Sequence, residues 1–401
     1  MGYKNVVMAD CIQKDSMKAL MLASVASMID LFNSDNIKIL SYLNCKVDVA
    51  ANFQEGSITS KARVDEYRNE LRSQGIDVVD VPIPRSVFCV GKILKSYYII
   101  KKLVDERHYR IVHCHSPIGG VITRLACRRA RKHGTKVIYT GHGLHFYNGA
   151  PLVNWLVFYP IEWICAKITD VLIAINKEDY QREKSWNNCR VEYVPGIGVD
   201  TKAFQKIEIS RTAVRKEFGF TDNDFIFMST GQISVRKNHE VIIRALSKIN
   251  DEKVKYLIVG FGELENKLKR LVEELGLVKR VVFAGYRGDV KILLHAVDAF
   301  AFPSLQEGLP VALMEAMSIG LPVVCSKIRG NVDLIKDGKG GYLYTPNDVE
   351  GFAEGMKKIF LGYNANEMGM VNKNTMSMFD KSIVEQHMKR IYKDLLPQNL
   401  I

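Results

Sequence analysis

The segment Ala299-Phe300-Ala301-Phe302-Pro303-Ser304-Leu305-Gln306-Glu307-Gly308-Leu309-Pro310-Val311-Ala312-Leu313-Met314-Glu315-Ala316-Met317-Ser318-Ile319-Gly320-Leu321-Pro322-Val323-Val324-Cys325 carries the clearest structural signal in the chain. Two short apolar runs, 299–302 and 322–325, flank a helical pattern. Runs without alternation suit strands covered on both faces, so the unit reads as strand, loop, helix and strand of a parallel sheet. Pro310 at the first helical position and Gly320 past the last mark the ends of the helix. Glu307 and Gly308 then lie in the loop at the carboxyl end of a strand, the edge where open α/β sheets bind ligands. Gly308 admits close approach to the backbone, and free amides on 308–311 offer an anion site. Glu315 follows in the second turn.

The same alternation extends in both directions. Upstream, strands are predicted at Phe225–Thr230, Tyr256–Val259 and Arg280–Ala284, with helices at about 239–250, 263–275 and 288–295. A further helix is expected at about 349–361 and an amphipathic one at about 382–395. The first half repeats the pattern, with strands at Ala19–Ala26, Lys46–Ala50, Val78–Val81, Ile111–Cys114, Lys136–Tyr139, Val171–Ile175 and Val191–Val194. Between them lie helical patterns such as Leu31–Leu43. Pro195-Gly196-Ile197-Gly198 reads as a linker. The fold class is therefore α/β, with two Rossmann-like doubly wound domains facing each other across a cleft. The first takes residues 1–197 and the second 198–379, and the helix at about 380–401 is expected to pack back on the first. Residues 1–17 read as an extension.

A chain of 401 residues suits two such domains, and 47% hydrophobic with 25% charged residues fits a folded protein. The net charge of +12 is clustered, at Lys92, Lys95, Lys101 and Lys102 and at Arg128, Arg129, Arg131 and Lys132. Such runs suit solvated helix faces, or attraction to anionic lipid or a phosphorylated substrate. Nucleic acid is not expected, since no zinc-finger or RNA-binding aromatic signature accompanies the charge. The eight cysteines lack C-x-x-C pairs and read as reduced thiols in a cytosol. No secretory signal is evident. Asn154, Glu162, Lys167 and Asp170 interrupt the apolar stretch 151–175, which is not expected to span a membrane.

Taken alone, Glu307 could be a loop charge and Glu315 a surface residue. Pro303-Ser304-x-x-Glu307-Gly308-Leu309-Pro310, with Glu315-Ala316-Met317, Gly320 and Pro322-Val323-Val324, resembles the E-x7-E signature of glycosyltransferase family four. These are retaining enzymes of GT-B fold, and Arg329-Gly330-Asn331 and Gly341 follow in the familial order. The resemblance implies that Glu307 and Gly308-Leu309 meet the transferred sugar and donor, while Glu315 contacts the nucleotide ribose. Gly231-Gln232-Ile233-Ser234-Val235-Arg236-Lys237 follows a predicted strand, where the family places cations on the donor diphosphate. Lys237 matches the familial lysine. Gln232 stands where an arginine is common, so either Arg236 supplies the second cation or the diphosphate is held more weakly. Tyr286 falls where relatives hold the base, although packing would also account for it. Gly260-Phe261-Gly262 is a donor-facing loop by resemblance only.

On the acceptor side, His115 ends one predicted strand, and His142 and His145 follow another in Gly141-His142-Gly143-Leu144-His145. A histidine between two glycines is poorly placed for packing, and the family has one near the donor sugar. The first half also resembles enzymes of bacterial capsule and exopolysaccharide synthesis, on Ala50-Ala51-Asn52, His113-x-His115, Gly141–Tyr147, Gly149-Ala150-Pro151 and Asn176-Lys177-Glu178-Asp179-Tyr180. This implies transfer of a hexose or N-acetylhexosamine from a nucleotide sugar, UDP-linked by resemblance, to a saccharide on a polyprenyl diphosphate at the inner membrane face. Trp155, Phe158, Tyr159, Trp163 and the basic helices would then meet anionic lipid, or else the helix packs on its own domain. No D-x-D motif ends a strand of the second half, and Asp222-Asn223-Asp224 reads as a turn. A metal-independent enzyme without cofactor is expected. The competing readings are a sugar-nucleotide epimerase of the same fold and a non-catalytic partner that binds lipid-linked saccharides.

Overall fold

The computed structural model describes residues 17–205 and 207–397. The expected extension falls outside them apart from Met17, which opens the first strand. The strands are β1 (Met17–Val25), β2 (Cys45–Asn52), β3 (Asp77–Asp80), β4 (Ile111–His115), β5 (Lys136–Gly141), β6 (Val171–Ala174), β7 (Arg190–Tyr193), β8 (Phe225–Thr230), β9 (Val254–Val259), β10 (Val281–Gly285), β11 (Ala299–Phe302), β12 (Val323–Ser326) and β13 (Gly341–Tyr344). They form two sheets, ordered β3-β2-β1-β4-β5-β6-β7 and β10-β9-β8-β11-β12-β13. Both are parallel-sheet α/β arrangements. The described residues form two compact units, those up to Ile138 together with those from Lys389, and those of Tyr139–Met388.

In the first unit, β1 pairs in parallel with β2 and β4, and β2 with β3. The expected helix over 31–43 is two helices, Ala26–Phe32 and Ser34–Tyr42. Asn33 breaks it because its side-chain amide donates back to the Met28 carbonyl at 3.0 Å, a local bond that competes with the helical ladder. Near the chain's end, the buried Tyr392 hydroxyl lies 2.7 Å from His113 Nδ1 on β4.

The six-stranded sheet of the second unit shows why its strands carry unbroken apolar runs. Ile226, Met228, Leu257, Val259, Phe300 and Phe302 face one layer, where Leu313, Met314 and Met317 of the helix Val311–Ser318 cover them. Phe227, Tyr256, Ile258, Ala299, Ala301 and Val324 face the other, against Ile242, Leu246, Phe352 and Met356. Each fully buried large side chain contributes roughly 1.5–3 kcal/mol of transfer free energy. Pro310 is the residue before the helix rather than its first member, with φ −81° and ψ 113°. Gly320 takes φ +85° beyond the end, as expected for a helix stop. The strand β13 was absent from the sequence reading.

Candidate active site

Within the second unit, β8 and β11 deliver two loops to the same carboxyl edge. Val235–Lys237 forms one tight helical turn after β8, and Asn238 closes it in the left-handed region at φ +53°. The Asn238 amide donates to the carbonyls of Pro303 and Pro346, at 3.2 and 2.8 Å. The Leu305 amide donates to the Arg236 carbonyl at 2.8 Å. Backbone bonds thus fix the turn against the loop that carries Glu307.

The charged side chains converge there. One oxygen of Glu307 accepts from Lys237 Nζ at 2.8 Å and from Arg236 at 2.9 Å. Lys237 and Glu307 are nearly enclosed, with side chains 12% and 10% exposed, whereas Arg236 is half exposed. The Lys237 ammonium also lies 4.6 Å from the centre of the Phe302 ring. Burial lowers the Lys237 pKa, opposed by Glu307 and assisted by Arg236. Two cations share one carboxylate, so the cluster keeps a net positive charge and attracts an anion. No side chain caps the helix Val311–Ser318, which leaves its first amides to add to that field. Arg236 thus joins Lys237 as a second cation on Glu307. Gln232 turns to Glu263 instead, at 3.4 Å.

Glu315 stands half-buried in the second turn, and among the described residues no ion pair or hydrogen bond engages its carboxylate. Burial pushes its pKa up to about 7. Tyr286 is 78% exposed, edge-on to exposed Phe261 at 6.3 Å. It is not a core residue, and the pair offers a platform for a planar ring. The loop of Gly231–Ile233 lies backbone to backbone on Gly260–Gly262: a Cβ on Gly260 would sit 1.9 Å from the Gly231 carbonyl oxygen. Those glycines are explained by loop-on-loop packing.

The loop after β5 joins the same group. A Cβ on Gly308 would come within 2.5 Å of the His142 carbonyl oxygen, and one on Gly143 within 3.1 Å of the Gly308 Cα. His142 is half-buried, and desolvation pushes its pKa down to about 4, so the ring is neutral at pH 7. His145 also has its pKa lowered, first by burial, and its ring packs 4.7 Å from Phe158. His115 belongs to the first unit, buried at the end of β4 with its ring 4.2 Å from that of His113. The structure therefore brings Glu307, Gly308, Lys237, Arg236, Gly231 and the His142 backbone together. His145 anchors its loop to the helix Leu152–Ala166.

Sequence reading missed the bracket that holds these loops. Arg329 Nη1 donates to Asp179 and to the Leu144 carbonyl, both at 2.9 Å, and Nε donates to the Glu307 carbonyl at 3.2 Å. Both side chains of the ion pair are 3% exposed. Asp179 in turn accepts from the Leu144 amide at 3.0 Å and the Asn176 side chain at 2.8 Å. One guanidinium thus ties three segments, the use to which its rigid fork is suited. The sequence signal available was Asn176 three residues before Asp179, a helix cap whose side chain accepts from the Asp179 amide.

Residues 210–374 match the family of glycosyl transferases group 1, and residues 57–207 match the glycosyl transferase 4-like family. The chain is 33% identical to EpsD of Bacillus subtilis, a protein named for glycosyltransferase activity by assignment, over 381 residues, covering 94% of this chain and 96% of that one. The chain belongs to glycosyltransferase family four. This glycosyltransferase is also 33% identical, over 277 residues, to the UDP-Gal:alpha-D-GlcNAc-diphosphoundecaprenol alpha-1,3-galactosyltransferase of Escherichia coli, covering 67% of this chain and 70% of the relative. Among solved structures, HepE of Anabaena, determined with UDP, superposes with a TM-score of 0.74 at 19% identity, covering 94% of this chain and 100% of HepE. The enzyme is thus a GT-B glycosyltransferase related to transferases of exopolysaccharide and lipid-linked sugars.

Proposed function

We propose that this enzyme transfers a hexose or N-acetylhexosamine, with retention, from a UDP-sugar to a saccharide on a polyprenyl diphosphate, in capsular or exopolysaccharide synthesis. The observation that carries the reading is the meeting of Lys237 and Arg236 on Glu307, beside an uncapped helix start. The reaction named for the Escherichia coli relative supplies the donor and acceptor classes. In this reading Lys237, Arg236, Gly231 and the amides at the helix start hold the donor diphosphate. Glu307, with Gly308 and Leu309, positions the sugar, Glu315 takes the ribose hydroxyls, and Tyr286 meets the base. His142 stands near the transferred sugar, His115 is assigned to the acceptor side, and the acceptor-side assignment of His145 is weakened by its packing on Phe158.

As the bond from the anomeric carbon to the diphosphate breaks, charge grows on the departing oxygen, where the two cations stabilise it. The acceptor oxygen attacks from the same face, and its proton passes to the leaving phosphate. Neutral His142 acts by hydrogen bonding rather than by charge. With the two side-chain cations in place, no metal is required. Residues 1–197 take the acceptor and 198–379 the donor, with the last helix packing back on the first part.

We place the enzyme on the cytoplasmic face of the membrane. Among the described residues no helix is long and apolar enough to cross a membrane. Of the two readings of the helix Leu152–Ala166, packing on its own unit describes Trp155 and Tyr159, which turn inward to Phe146 at 5.6 and 5.4 Å. Leu152, Val153, Leu156, Val157, Ile161 and Ile164 are exposed instead, an aliphatic face suited to lipid. The test is a screen of UDP-, GDP- and ADP-sugars in the presence of EDTA, following nucleoside diphosphate release with and without lipid-diphosphate acceptor, and flotation on anionic vesicles. Acceptor-dependent release from a UDP-sugar supports the reading. Release without acceptor, or a requirement for Mg²⁺, contradicts it.

A further inference from the structure

The segment of Arg329 and loops that it ties also wall a cavity of about 280 Å³. Tyr147 and Asn148 form one side, Leu305, Gln306 and Glu307 a second, and Lys327, Ile328 and Arg329 a third. Its charges are unevenly matched. Glu307 is shared by Lys237 and Arg236. Glu178 at the rim accepts from Arg182 at 3.1 Å and from the Asn148 amide at 2.8 Å, and Arg329 is paired with Asp179. Lys327 is exposed and is the one charged wall side chain that, among the described residues, has no ion pair. The Arg329 guanidinium lies 4.8 Å from the centre of the Tyr147 ring and helps fix it in place.

An aromatic ring held in place, a nearby carboxylate and an uncompensated ammonium suit one kind of ligand. A pyranose packs its C–H face on the ring, and a phosphate attached to it meets the cation. The volume lies just below the roughly 300–1,000 Å³ of small-molecule sites, which suits a ligand of one sugar ring better than a longer saccharide. Donor phosphates are assigned to Lys237 and Arg236, which leaves Lys327 for a different anion. We propose that this cavity is the acceptor subsite, in which Tyr147 receives the acceptor sugar and Lys327 holds its phosphate. The proposal rests on the transferase reading and adds to its division of the chain that Lys327, in the part assigned to the donor, holds the acceptor's phosphate.

The test compares unsubstituted protein with Lys327→Gln and Tyr147→Ala by calorimetric titration. The probes are UDP, a short-chain lipid diphosphate-linked N-acetylglucosamine, and the same sugar on an uncharged alkyl chain. Lys327 is exposed, so its variant folds, and a urea midpoint checks both variants. Lys327→Gln is expected to weaken the diphosphate-linked probe about tenfold, leaving UDP and the uncharged probe within about twofold. Tyr147→Ala weakens both saccharide probes. A selective loss of UDP affinity in Lys327→Gln would assign the cation to the donor and overturn the proposal. Equal affinity of both proteins for the diphosphate-linked probe overturns it too, as does a failure of unsubstituted protein to bind that probe. UDP binding in the same titrations shows separately whether the transferase reading stands.

Discussion

Replacing Glu315 with glutamine is expected to make the protein more stable at pH 8 and a poorer binder of UDP. Burial raises the carboxyl from 4.5 to about 7. The native state therefore holds a proton that the unfolded chain releases between those values, and the group costs stability as pH rises toward 7 and beyond. The cost disappears below the unfolded value. A shift of about 2.5 units corresponds to roughly 3.4 kcal/mol at full weight, and the partly exposed side chain brings it to about 2 kcal/mol. Glutamine keeps the shape without the charge. Urea unfolding should place Glu315→Gln about 2 kcal/mol above the parent at pH 8 and within about 0.5–1 kcal/mol of it at pH 5. UDP titration should show affinity rising through pH 7 for the parent, as the carboxylate ionises to accept ribose hydroxyls, and a flatter profile for the variant. An equal stability difference at both pH values would refute the reasoning, because burial of a charge cannot act where the charge is absent.

Lys237→Gln should raise the dissociation constant for UDP about tenfold or more while leaving thermal stability near the parent, since it relieves a desolvated ammonium. Arg329→Met should destabilise by about 3–5 kcal/mol, because it leaves Asp179 charged and buried. Adding Asp179→Asn should recover part of that loss in urea unfolding. Gly308→Ala should lower turnover about a hundredfold with a smaller effect on UDP binding, since its Cβ would lie 2.5 Å from the His142 carbonyl oxygen and part the loops. Steady-state kinetics on the folded variant checks it.

Inner strands such as Ala299–Phe302 were legible because burial on two faces leaves unbroken apolar runs. The strand Gly341–Tyr344 was not, since its opening glycine and two tyrosines look like a turn. The glycine is required by its neighbour: a Cβ there would lie 2.2 Å from the Val323 carbonyl oxygen. Glu307 and Lys237 could be placed on their loops from sequence, but their contact could not, because 70 residues separate them. The same holds for Arg329 and Asp179, 150 residues apart. Which face of the helix Leu152–Ala166 points outward stayed open between two readings for a related reason. Aromatic residues suit both a lipid surface and a core, and only Phe146 and Trp186, brought alongside by the fold, decide that Trp155 and Tyr159 point inward.

Glu307→Gln offers the most direct measurement, with UDP binding and acceptor-dependent UDP release recorded on the same preparation. The carboxylate is assigned to the transferred sugar, so UDP affinity should stay within a few-fold while turnover falls by about 10²–10³. Turnover close to that of the parent would contradict a catalytic role for the cluster of Glu307, Lys237 and Arg236.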